Sequence, residues 1–275
     1  MGVVGTSGAR EAAALIPEEV RHLAEEQGTP GVRWPGSELI ERDDFAIWLG
    51  PPMYPGLSVV RRCRFDPSGA NRGIEEVRAV LLARGRNRAI WQVGASATPT
   101  TLADDLIALG LQPDSDPVCK ALVIGSAPAT DSETDVVVRK ATTRKDFEAF
   151  FRIQQEAFEV DPDALERGAQ ALDEIYEGER TADFLATYLA YVDDEPVATA
   201  RATFTEFGVV LNGGSTLHRA RGKGAYRALV HARWKDAVAH GTPWMTTLAR
   251  PSSYPILKKM GFEDVCDVRM LVDEF

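Results

Sequence analysis

Arg219, Arg221, Lys223 and Arg227 crowd around Gly222 and Gly224. A β-type run, Val209-Val210-Leu211 through Leu217, leads into this basic turn, and an apolar-periodic helix follows from Ala225. That order gathers unpaired backbone N–H groups, a helix N-terminus and cationic side chains around one small volume. Orphan donors and the helix dipole both favour an anion there, so the turn suits a phosphate or pyrophosphate. Glycine at 222 and 224 permits positive φ and lets an anion approach without a Cβ in the way. A solvated basic loop on an acidic protein is the plainer reading of the same residues, and the sequence after the loop weighs against it.

Two common phosphate loops do not fit. The Gly-x-x-x-x-Gly-Lys-Ser/Thr pattern is absent, and Ala225-Tyr226-Arg227 follows Gly222-Lys223-Gly224 without the third glycine of a dinucleotide fingerprint. The segment resembles the acetyl-CoA pyrophosphate loop of the GNAT superfamily of N-acetyltransferases, Gln/Arg-x-x-Gly-x-Gly/Ala at a strand-to-helix junction. Arg221 to Tyr226 fits with one departure, Tyr226 standing where the family prefers Gly or Ala. Arg219 to Gly224 fits in full, two residues earlier. The first frame is preferred because it leaves Ala225 to Val230 as the opening turns of the helix.

The elements that must position this loop extend the resemblance over residues 135–275. Val230, Trp234 and Val238 form an i, i+4, i+8 stripe that predicts one core-facing side of the helix, ending at His240-Gly241. Trp244 to Leu248 reads as a buried strand. Pro251-Ser252-Ser253 opens a helix from Tyr254 to Met260, closed by Gly261-Phe262, and two strands follow, around Glu263–Cys266 and Val268–Val272. Upstream, Val136 to Arg139 is a strand; Phe147, Phe150 and Phe151 mark one helix, and Leu165, Ala169, Leu172 and Tyr176 a second. Strands at Phe184–Tyr191 and Pro196–Phe204 precede the glycine turn.

The resemblance implies direct transfer of an acetyl group from acetyl-CoA to a primary amine. By family analogy, pantetheine pairs with the backbone of Gly214, Ser215 and Thr216, and the pyrophosphate lies on Arg221, Gly222, Lys223, Gly224, Ala225, Tyr226 and Arg227. Ser253 either bonds pantetheine or caps its helix, capping being favoured. The family's thiol-protonating tyrosine position is Leu257 here; Tyr254, one turn earlier, is the candidate substitute, and a packed tyrosine at a domain junction is the equal alternative. The strand before the loop carries Val209 to Asn212 and no carboxylate, so Glu206, in the preceding hairpin, is the nearest candidate base. A water relay is the other possibility. Glu156 to Asp163, between two helices, is expected either to border the acceptor site or to be solvated loop.

Composition agrees with a soluble cytoplasmic enzyme. The 275 residues have room for two domains, and 44% apolar with 26% charged residues is ordinary for a globular protein. No apolar run reaches membrane-span length. Met1 to Thr6 formally matches an N-myristoylation pattern, but no basic cluster follows, and the segment reads as a frayed terminus. Cys63, Cys119 and Cys266 are an odd, widely spaced set without disulfide or zinc spacing, and the four histidines lack ligand spacing, so no metal is expected. A net charge of −10 argues against nucleic acid as a partner. The expected partner is a small-molecule or peptide amine, with the protein a monomer or homodimer and no membrane association.

The first half repeats landmarks of the second. Ile74 to Gly85 parallels Leu229 to Gly241; Trp91 and Trp244 each open a strand; Leu102 to Leu109 parallels Tyr254 to Met260; and Gly110-Leu111 parallels Gly261-Phe262. Two strands close each copy. This spacing argues for tandem duplication, an unrelated α/β extension being the alternative. The expected fold is therefore α/β (α+β), two GNAT-like domains, each a mixed, mostly antiparallel sheet flanked by helices. Residues 1–124 form the first, 125–134 a linker and 135–275 the acetyl-CoA-binding catalytic domain. Arg64 to Gly73 offers no Arg-x-x-Gly-x-Gly frame, and Asp66 sets an anion beside the would-be anion site, so the first copy reads as degenerate. Two further readings remain: a catalytically weak CoA-binding regulatory module, and a non-enzymatic phosphate-binding protein.

Overall fold

Helix α1 (Glu18–Glu26) turns Val20, Leu23 and Ala24 onto the middle of a sheet, and polar residues occupy its other faces. The computed structural model that shows this describes residues 15–27, 36–50, 57–129, 135–158, 166, 170 and 172–275. Strands β1 (Glu38–Glu41), β2 (Ala46–Leu49) and β3 (Ser58–Arg61) form an antiparallel meander. Helix α2 (Ala70–Leu82) then crosses to β4 (Arg88–Val93), parallel to β3, and α3 (Leu102–Ala108) leads into the long β5 (Gln112–Ile124).

The second half starts with β6 (Val137–Lys140), α4 (Arg144–Phe158) and α5 (Leu172–Thr181). An antiparallel run follows: β7 (Leu185–Val192), β8 (Glu195–Phe204) and β9 (Val209–Thr216). Helix α6 (Ala225–Ala239) carries the chain to β10 (Met245–Ala249), parallel to β9, and α7 (Tyr254–Lys259) precedes β11 (Glu263–Glu274). Leu165, Ala169 and the Met1–Thr6 pattern lie outside the described residues.

Among the described residues the strands make one eleven-stranded sheet in the order β1-β2-β3-β4-β11-β5-β10-β9-β8-β7-β6. Two expectations need correction. Each half closes on one long strand rather than two; in β11 the register shifts at Asp264/Cys266 and Arg269/Leu271 interrupt the alternation that had suggested separate strands. These long strands also cross between halves, β11 pairing with β4 and β5, and β5 with β10 and β11. Leu271 consequently packs in the first half's core, and Leu122 and Ile124 in that of the second.

The second correction concerns α6. Of the predicted stripe, Val230 is buried and Trp234 packs against the core, but Val238 is half exposed; Leu229, Arg233 and Ala237 are buried beside them. The Arg233 guanidinium lies beneath the helix and donates to the carbonyls of Leu229 (3.0 Å) and Arg201 (3.1 Å). A buried, hydrogen-bonded arginine thus takes a place on the core-facing side that an apolar residue would otherwise fill.

Candidate cofactor cleft and active site

Strands β9 and β10 pair only at Val209–Met245 and Val210–Thr246. The Thr247 hydroxyl still reaches the Leu211 carbonyl at 3.0 Å, and beyond it the strands part. The parting coincides with a bulge in β9. The β8–β9 register passes from Thr199–Ser215 to Arg201–Asn212, so Gly213 and Gly214 oppose the single residue Ala200, with Gly213 at φ +58°. The edge of β9 facing the gap therefore offers Gly213 to Thr216 with no strand alongside.

The loop after β9 opens onto that gap. A short 3-10 turn, His218–Ala220, is followed by Gly222 at φ +81° and Gly224 at φ +86°; Gly224 is the residue that starts α6. The helical ladder begins with Ala228 N–H to Gly224 O, so the N–H groups of Ala225 and Tyr226 precede its first bond. Space for at least 4 Å surrounds the position of a Cβ on Gly222. Arg219 is held by Glu156 (2.8 Å) and Glu195 (2.6 Å), whereas Arg221, Lys223 and Arg227 line the cleft. Its volume is about 1560 Å³, and it also takes in Gly214, Ser215, Thr216, Ser253 and Ile256.

The cleft gathers every proposed cofactor residue and neither proposed catalytic one. Tyr254 is half buried and does not line the cleft. Glu206 is exposed in the β8–β9 turn; at about 3.3 Å per strand residue it lies roughly 20 Å from the bulge. Ser253 makes no capping bond; its hydroxyl donates to the Arg250 carbonyl at 3.2 Å instead. Glu156 is spent on Arg219, and residues 159–163 of the acidic run lie outside the described residues.

Sequence reading missed the polar groups under the sheet. Arg201 and Glu179 form a buried ion pair, with Thr187 bonded to both and the Phe150 ring 4.2 Å from the guanidinium. On the opposite face Asp236 accepts from Lys140 (2.9 Å) and Tyr188, and burial pushes the Tyr188 phenol's pKa upward. The one available signal was the Gly213-Gly214 pair inside a strand, which marks a bulge.

The first half has the same parting of parallel strands after Val59–Ile90 and Val60–Trp91, but its own chain fills it. Arg64 bridges to Thr98, the Phe65 N–H donates to the Thr98 carbonyl (3.0 Å), and the Thr98 N–H donates to that of Cys63 (3.1 Å). The Phe65 ring lies 2.5 Å from where a Cβ on Gly73 would be, so only glycine fits there. Helix α1 adds Glu25, accepting from Ser96 N–H at 2.8 Å, and Glu26, paired with Arg64 at 2.8 Å.

No protein-family model matches the sequence, and no curated protein matches it. The fold is nevertheless shared with solved structures. A GCN5-related N-acetyltransferase from Kribbella flavida superposes with a TM-score of 0.67 at 20% identity, over 92% of this chain and 95% of that one. A functionally unknown conserved protein from Staphylococcus epidermidis ATCC 12228 gives 0.64 at 15%, over 88% and 96%. A tandem GNAT protein from the clavulanic acid biosynthesis pathway gives 0.58 at 14%, over 94% and 88%. The architecture is the GCN5-related N-acetyltransferase fold in its tandem form, a mixed, mostly antiparallel sheet flanked by helices.

Proposed function

We propose that this protein is an acetyl-CoA-dependent N-acetyltransferase whose active site is the cleft of the second half, and whose acceptor is a primary amine on a small molecule or peptide. The observation that carries this reading is continuity: a two-glycine turn at a helix N-terminus opens directly into a gap between parallel strands. The residues present fit the cofactor. Gly222 to Tyr226 provide backbone donors and Lys223 and Arg227 positive charge for the phosphates. The free edge of β9 at Gly214 to Thr216 suits an amide-bearing arm, and the buried Ser215 hydroxyl has no hydrogen-bond partner among the described residues.

Bound acetyl-CoA would supply an activated acetyl group. The protein's part is then to hold that group against the amine, which is mainly positioning, and to manage protons at nitrogen and sulfur. The first half serves as a degenerate copy, its gap closed by Phe65, Thr98 and α1. A binding-only module is the reading favoured by the lack of a carboxylate on β9. Incubation with acetyl-CoA and a panel of primary amines separates the two. Acetylated product with matching thiol release supports the enzyme; tight CoA binding with neither across the panel supports the module.

A further inference from the structure

The bulge in β9 decides which stretch of backbone faces the gap, so whatever holds it sets the shape of the cleft. Across from it, β8 is fixed from both faces of the sheet. The Arg201 side chain is paired with Glu179 and covered by the Phe150 ring, and its carbonyl accepts from Arg233 on the other side. On β9 itself, Gly213 holds φ +58°, and its carbonyl accepts from the side-chain amide of Gln154 on α4. That amide nitrogen lies 3.6 Å from the position of a Cβ on Gly213, and the Arg201 Cβ lies 4.0 Å from it. Gln154 follows Phe150 by one helical turn, so the two project from the same face of α4. One helix face thus grips both strands at the bulge, Arg201 through Phe150 and Gly213 through Gln154.

We propose that Gln154 is a positioning residue for the cofactor's amide-bearing arm, an assignment that rests on the cofactor reading above. A carbonyl tied to a helix packed on the sheet is held out of the plane in which strands pair. Gly213 then stays left-handed, and Gly214 to Thr216 keep their edge turned to the gap. Without the Gln154 donor, Gly213 has a glycine's full range of backbone conformations, and the edge that meets the arm loses its fixed geometry. The two-glycine turn is held separately, by Ala220 N–H donating to the Leu217 carbonyl (2.9 Å) and Arg221 N–H to that of His218 (3.2 Å). The effect of Gln154 is therefore selective: it acts on the arm and not on the phosphates.

Calorimetry of the full chain with CoA and with its nucleotide half alone, phosphoadenosine diphosphate, tests this without the acceptor. Gln154→Met keeps the length of the side chain and deletes the donor. It should weaken CoA by about fivefold, the scale of one hydrogen bond. Affinity for the nucleotide half should stay unchanged, which also shows that the variant folds. Gly213→Ala, strained at its positive φ, should weaken CoA through the same bulge, and the double variant should lose little more than the worse single one. Unchanged CoA affinity in Gln154→Met, an equal loss for both ligands, or losses that simply add in the double variant each overturn the assignment. A parent that does not bind the nucleotide half overturns the cofactor reading and this assignment with it.

Discussion

Leu271 of β11 stands directly opposite Trp91 of β4, and both are buried in the core of the first half. The last strand of the second half thus completes the hydrophobic core of the first, as Leu122 and Ile124 of β5 do for the second. The exchange couples the half with the open cleft to the half whose gap is filled.

Leu271→Ala should lower stability by about 2–5 kcal/mol, the usual cost of a cavity at a buried leucine. Because β11 is shared, urea unfolding should remain one transition, moved as a whole. Two separate transitions, with the first half unmoved, would contradict the coupling.

Glu179→Ala strands a buried guanidinium. Side-chain exposures of 7% for Arg201 and 5% for Glu179 leave little water to take over, so the loss should be about 3–5 kcal/mol. The double variant with Arg201→Met should recover most of it. A single-variant loss below about 1 kcal/mol, the range of exposed pairs, would show that the pair is solvated.

Gly224→Val forces a β-branched residue to φ +86° at the start of α6. CoA affinity should fall at least about tenfold through the distorted phosphate loop. Unchanged affinity in a calorimetric titration would mean that the phosphates bind elsewhere.

Tyr254→Phe should leave turnover close to that of the parent, since Tyr254 does not line the cleft. The check is the rate of thiol release with the productive acceptor. A fall of two orders of magnitude or more, the scale of a lost general acid, would return that role to Tyr254.

The helix and strand order was legible because its signals are local: Gly224 before an apolar helix, Gly241 and Gly261 after helices; Trp91, read as opening a strand, is instead the fourth residue of β4. The two-glycine turn at the start of α6 was legible for the same reason, its glycines and cations lying within a few consecutive residues. What depended on distant pairing was not. Nothing near Leu271 announces that its partner is Trp91, and the β11 bulges made one strand look like two. Arg233, Arg201 and Glu179 were hidden because residue type alone places charges outside; their burial depends on partners from other elements. Tyr254 was chosen by its helix position, whereas the cleft is lined by the turn before that helix, at Ser252 and Ser253.

Calorimetric titration of the parent protein with CoA, and with pantetheine lacking the nucleotide phosphates, tests the central claim most directly. The account predicts one site per chain, with affinity falling by at least an order of magnitude when the phosphates are removed. Two equal sites per chain, equal affinity for the two ligands, or no binding at all would contradict it.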